Sequence, residues 1–275
     1  MRKFVSAALA LCLAGAMTAC AGGTTSTSST EESSSSETVT SSDSTTEEPA
    51  SGETASGEVL SYDEYMAAAV DAPVTIQAYV QAKQSYYAEQ GTATVYLQDQ
   101  DGAYFAYDMA CTQEEYDAMT EGTKIQVSGF KAEWSGEIEI MDGQLDEILT
   151  DDTFVAEPMD VTDLLGTDEL ESHQNEKVSF TGLTVAPSPV KDDDTEYAFL
   201  YNDDGSGTQG DDLYFKVEYN GQTYTFTVES YLCDSSTDVY KAVENLEVGQ
   251  TIDCEGFLYW YEGVNPHITS VTVVG

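Results

Sequence analysis

Residues 122–136 and 249–263 are two versions of one segment. At a constant offset of 127, Gly122, Gly129 and Gly136 fall on Gly249, Gly256 and Gly263, Ile125 on Ile252 and Phe130 on Phe257, without a gap. A chain that repeats itself over such a distance folds as tandem copies of one unit rather than around a single continuous core. Upstream the offset is 104: Val74-Thr-Ile-Gln-Ala-Tyr-Val80 falls on Val178-Ser-Phe-Thr-Gly-Leu-Thr184, and Val95-Tyr-Leu-Gln-Asp99 on Phe199-Leu-Tyr-Asn-Asp203. The second copy therefore reads as the longer one, with its added residues in the middle. A length of 275 residues leaves room for two units that each bury a core.

Within each copy apolar residues alternate with period two, as in Val74, Ile76, Ala78 and Val80, which predicts half-buried antiparallel strands. Helices are few and short. Thr112-Gln-Glu-Glu115 is a capping box that opens one before Gly122, with Val239 to Leu246 as its counterpart. Ser61-Tyr-Asp-Glu64 caps another ahead of the first copy, and Asp160 to Ser172 is expected to do so ahead of the second. Three strands, a helix and two strands is the order of the OB-fold, a five-stranded Greek-key barrel. The expected class is thus all-β with short helices: two tandem OB-like barrels, 59–152 and 153–275, after a disordered stalk. Asn220-Gly221, between two alternating runs, signals a hairpin, read as an elaboration inserted into the second copy.

The N-terminus carries an address. Arg2 and Lys3 precede an apolar stretch from Phe4 to Met17, the layout of a secretory signal and too short to span a bilayer. Met17-Thr-Ala-Cys20 resembles the bacterial lipobox, which implies removal of residues 1–19 and acylation of Cys20. Two acyl chains suffice for stable anchoring, so the expected location is the outer face of the membrane, held by lipid alone. The tether follows. Ala21 to Glu58 contains 21 Ser or Thr and 8 Asp or Glu among its 38 residues, too little apolar surface to offset ordering. The segments Tyr79-Val-Gln-Ala-Lys-Gln-Ser85, Val95–Asp99 and Gly129-Phe130 through Trp134-Ser-Gly136 resemble extracytoplasmic OB-fold domains in lipoproteins of Gram-positive, mostly anaerobic bacteria. That resemblance covers most of 59–275; it implies a fold and a location and lends no catalytic residues.

Nine Lys and Arg stand against 51 Asp and Glu, a formal charge of −42. Because non-specific affinity for polyphosphates comes from basic side chains displacing counterions, no nucleic-acid partner is expected. Acidic loops at Asp99, Asp101 and at Asp203, Asp204, Asp211, Asp212 are the candidates for a Ca²⁺ ion, read as equivalent turns of the two copies. No EF-hand Glu stands at the twelfth position, and an acidic Gly turn accounts for them, so no cofactor is expected. Glu169, His173 and Glu176 share one face if their segment is helical, a pattern also given by a solvated helix. His173 and His267 are the only histidines, and neither sits in a nucleophile signature. Cys111, Cys233 and Cys254 remain after the signal and the lipid take Cys12 and Cys20. An odd number forbids a complete disulfide framework and leaves a Cys233–Cys254 bridge open.

Aromatic residues supply the ligand-face candidates. Tyr86 and Tyr87 fall between the first two strands, and Trp134, Tyr259, Trp260 and Tyr261 at the hairpins between the fourth and fifth. Those loops flank the binding face of an OB-fold. The expected function is a non-enzymatic binding or interaction module for glycan or peptide. The alternatives are an accessory subunit that docks on another envelope protein and a hydrolase whose site forms only in space.

Overall fold

The computed structural model describes residues 57–274; the signal segment, Cys20 and the tether up to residue 56 lie outside the described residues. Among the described residues no helix is long and apolar enough to cross a membrane. Helix α1 (Tyr62–Ala67) opens on the Ser61 capping box and leads into the first barrel. Strands β1 (Pro73–Lys83), β2 (Thr92–Gln98), β3 (Ala103–Ala110), β4 (Thr123–Trp134) and β5 (Glu137–Thr153) close in the order β1-β2-β3-β5-β4. The β3–β5 pair is parallel, and helix α2 (Gln113–Ala118), capped by Thr112, spans from β3 to β4. This is the OB-fold arrangement. The alternating set Val74, Ile76, Ala78 and Val80 is buried, as period two requires, with Ile125 and Val127 facing it from β4.

The second barrel repeats that ring with strands β7 (Lys177–Ala186), β9 (Leu213–Tyr219), β10 (Gln222–Val228), β11 (Thr251–Phe257) and β12 (His267–Val273). The β7–β9 pairing closes it, β10–β12 is the parallel pair, and helix α3 (Asp238–Glu244) takes the place of α2. Two edge strands are added outside the ring: β6 (Met159–Asp160) on β7 and β8 (Phe199–Tyr201) on β9.

This topology corrects three expectations. The Asn220-Gly221 hairpin is no elaboration: β9 and β10 are the second and third barrel strands, and the added residues are 187–212, which carry β8. A barrel hairpin and an added hairpin share the same alternation and turn chemistry, and only the pairing of β9 with β7 separates them. Hence Asp99–Gly102 and Asn202–Gly205 are not equivalent loops, since the counterpart of the first is Asn220-Gly221. The segment after Asp160 forms two 3-10 turns, Thr162–Leu164 and Asp168–His173, rather than one α-helix. Gly166, at φ +81°, separates them, and neither turn has a side-chain cap.

The barrels meet through unlike surfaces. From the first come the outward residues of β2 and β3; from the second come β11, β12 and their connection. Tyr96 stacks on Phe257 at 4.4 Å and lies 4.8 Å from Phe105, its cross-strand partner. In the second barrel the corresponding cross-strand pair is Lys216 and Thr225, joined by a 3.0 Å hydrogen bond. Polar contacts complete the junction. Gln174 Nε2 donates to Gly136 O at 2.7 Å, Trp260 N to Glu137 Oε2 at 2.9 Å, Lys177 N to Gln98 Oε1 at 2.8 Å and Ser85 N to Tyr231 O at 2.8 Å.

Gly129 and Gly256 sit at register shifts of their strands, and a Cβ there would meet Met141 O at 2.9 Å and His267 O at 2.2 Å respectively. Only glycine lets the partner backbone pass so close. Two residues further on the copies diverge. Lys131 is buried and its ammonium donates to the carbonyls of Tyr65, Met66 and Ala68, closing the C-terminal end of α1. Its counterpart at the same offset, Leu258, lies in the second core, where 3-10 turns replace that helix.

Candidate ligand groove between the barrels

Five of the six aromatic candidates line one groove of about 920 Å³ at the junction: Tyr86, Tyr87, Trp134, Tyr259 and Tyr261. Each barrel supplies part of the wall, through β2, β3, the β4–β5 hairpin and the connection from β11 to β12. Trp134 and Tyr261, one from each barrel and both about half exposed, tilt against each other at 5.1 Å on the rim. Tyr87 is exposed, whereas Tyr86 is half-buried, packs 5.4 Å from Tyr116 and donates its hydroxyl to Cys111 O. The sixth candidate, Trp260, lies outside the groove. Its ring packs on the second core and over Gly136, where a Cβ would come within 2.8 Å of Cδ1.

His267 forms part of the floor. It stacks on Tyr259 at 4.2 Å, and its Nδ1 lies 2.6 Å from the Tyr96 hydroxyl. Burial pushes the imidazole down to about 3 and the Tyr96 phenol well above its usual value, so both are neutral at pH 7. With no other acceptor for its proton among the described residues, Tyr96 donates to Nδ1, which assigns the ring proton to Nε2. An imidazole so depressed takes up no proton near neutrality, and His267 is therefore no general base there.

Two carboxyl groups, Glu137 and Glu139, are buried at or beside the groove, and a third, Glu229, is half-buried there. Burial lifts Glu137 to about 8, tempered by Asn175 and the Trp260 N–H; its Oε1 has no hydrogen-bond partner. Glu139 is 5% exposed and lifted to about 7 by burial alone. Glu229 is raised to about 7, chiefly by burial and then by Asp212, while it accepts the N–H groups of Tyr231 and Leu232. These groove residues, with His267, carry no local signal in the sequence. Glu139 alternates with Ile138 and Ile140 in the pattern of a solvated strand face, and the rings beside it, Tyr107 of β3 and Tyr259 of the second barrel, are distant from it in sequence.

The acidic loops are turn devices. Asp99 Oδ1 accepts the N–H groups of Asp101 and Gly102, Asp204 Oδ1 that of Ser206, Asp211 Oδ2 that of Thr208, and Asp212 Oδ1 both the N–H and hydroxyl of Ser230. Asp101 and Asp203 belong to the same turns. Among the described residues no group of three or more His, Cys, Asp or Glu is arranged to hold a metal ion. His173, the last residue of its 3-10 turn, pairs with Glu176 beyond the turn at 3.0 Å, and the spacing of that turn does not place Glu169 with them. Cys111, Cys233 and Cys254 are free thiols, which closes the question of a Cys233–Cys254 bridge. Cys254 is buried in the second core where the first has Val127.

No known protein family and no curated protein matches the chain. Solved structures do. A replication protein A heterotrimer bound to single-stranded DNA is 15% identical with a TM-score of 0.28, covering 74% of this chain, which spans about half (49%) of that one. A murine DNA-binding protein with double-stranded DNA is 11% identical, TM-score 0.33, covering 73% and 96%. The Ifi202 HINa domain with a 20-base-pair duplex is 13% identical, TM-score 0.31, covering 74% and 96%. The fold assignment rests on strand order and pairing, to which these low scores add no argument. The expectation of no nucleic-acid partner is corrected and withdrawn: solved structures to which this chain is similar hold single- or double-stranded DNA. The ground of that expectation, a charge summed over the whole chain, says nothing of the field at any one face.

Proposed function

We propose that this chain is a non-enzymatic binding module, held outside the cytoplasmic membrane by an acylated Cys20, that takes a glycan into the groove between its barrels. The observation that carries the reading is the convergence of Tyr86, Tyr87, Trp134, Tyr259 and Tyr261, from loops of two barrels, on one groove. Aromatic rings offer apolar faces to sugar rings, and the acceptors beside them, Asp108, Glu139, Asp212 and Asn265, suit hydroxyl groups. The charged-then-apolar N-terminus and Met17-Thr-Ala-Cys20 support the location.

The test is calorimetric titration of the chain against cell-wall and dietary polysaccharides, with single-stranded oligonucleotides as a further arm, since bases also stack on aromatic faces. A glycan should bind, and Trp134→Ala with Tyr261→Ala should weaken it by about tenfold or more. Binding unchanged in the double variant, or binding of oligonucleotides alone, overturns the reading.

A second reading, a glycoside hydrolase, draws on Glu139 and Glu229, two carboxyl groups raised to about 7 in one groove. Against it, Glu229 is engaged by two backbone N–H groups that hold its own turn. New reducing ends after incubation with a bound glycan, lost in Glu139→Gln, would decide for hydrolysis.

A further inference from the structure

Glu139 is a buried acid without a partner. Its strand neighbours Ile138 and Ile140 pack into the first barrel, while its own side chain lines the groove, 5% exposed and accepting no hydrogen bond among the described residues. Holding a carboxyl group largely out of water, with no protein hydrogen bond to its oxygens, opposes folding, and such a group on the wall of a cleft marks a place where a partner arrives. What surrounds it says which partner. Tyr107 and Tyr259 lie close enough for its charge to raise both phenols. Asp108, Asp212 and Glu229 line the same groove, and no lysine or arginine does.

Aromatic rings beside a carboxylate suit an organic ammonium ion: the ring quadrupole attracts the cation, the carbon skeleton lies on the ring, and the carboxylate supplies the opposite charge. A bare divalent cation fits poorly, because it needs several oxygens converging at short distance and no such group exists among the described residues. The further acids favour any cation entering the groove.

We propose that the groove recognises an ammonium group on its ligand, with Glu139 as the counter-charge and Tyr107 and Tyr259 as the flanking rings. The inference rests on the reading of the groove as a glycan site and names what the glycan carries: an amino sugar with its nitrogen unacetylated. Acetylation of that nitrogen removes the charge and leaves Glu139 facing a neutral amide.

The experiment is calorimetric titration of the full chain with a glucosamine tetramer, with its N-acetylated counterpart, and with spermidine as an amine without a sugar. The free-amine tetramer should bind about tenfold more tightly or better than the acetylated one, and more weakly as salt is raised. Glu139→Gln, which keeps the shape and removes the charge, should bring the ratio close to one with no loss of thermal midpoint. Equal or tighter binding of the acetylated tetramer overturns the ammonium proposal and leaves the glycan reading standing. Spermidine binding without either tetramer defeats the glycan reading and keeps the ammonium site. No binding by any of the three defeats both, and because that comparison uses the wild-type chain it holds whatever the variant does.

Discussion

Phe130 and Phe257 occupy one position of the repeat, yet the first is 46% exposed and the second 2%. The rings around them are alike: the same strand order, the same parallel pair, the same glycine at the bulge before each Phe. What differs is the surface each barrel turns toward the other. The repeat thus dictates the barrel, while a few outward side chains outside the repeated pattern dictate the junction. Glu137, just past the repeated segment, makes the same point: it is fully buried and accepts the Trp260 N–H from the other barrel.

The largest expected effect is at Glu137. Glu137 is raised to about 8 in the folded chain from an ordinary value of 4.5. Between those values only the folded state holds the proton, so stability falls as pH rises, by up to about 1.4 kcal/mol per unit, and the loss is complete above the folded value. Glu137→Gln should match wild type near pH 5 and exceed it by roughly 3–4 kcal/mol at pH 9 in chemical denaturation. Parallel curves would show that the junction does not shield this acid. His267 acts oppositely. Lowered to about 3 from 6.5, it removes stability as pH falls through that window, which puts the wild-type optimum in the mildly acidic range.

Next comes the phenylalanine pair itself. Phe257→Ala empties the space beneath Tyr96 and should cost about 3–4 kcal/mol, whereas Phe130→Ala should stay within about 0.5 kcal/mol, as surface substitutions do. Equal losses would mean that the first barrel also buries its Phe. The smallest effect makes copy one resemble copy two. Lys131→Leu leaves the carbonyls of Tyr65, Met66 and Ala68 without their donor, at a cost of about 1–2 kcal/mol, and hydrogen exchange over 62–68 should accelerate.

The strands, both capping boxes and the equivalence of Val127 with Cys254 were legible because each depends on neighbours within a few residues or on the ungapped repeat. The assignment of 199–203 as the second strand failed because Phe199-Leu-Tyr-Asn-Asp203 has the composition of Val95–Asp99 but pairs only at the sheet edge. Partner choice is a long-range property that alternation does not encode. The aromatic loops were legible through their place in the strand order. Glu139, Glu229 and His267 were not, because each is buried by the junction or by the turn it supports, and neither exists in a local window.

Lys216 and Thr225 have a consequence for assembly. The contact between the barrels joins two different faces of the repeated unit, so it has the geometry of a stack that adds members in one direction, unlike a two-fold pair that consumes its own surface. A further barrel arriving on the β9–β10 face would meet an ammonium and a hydroxyl where Tyr96 and Phe105 receive Phe257. The second barrel thus offers a polar pair at the position where the first offers an aromatic seat, and the two copies of the repeat are not interchangeable as docking surfaces.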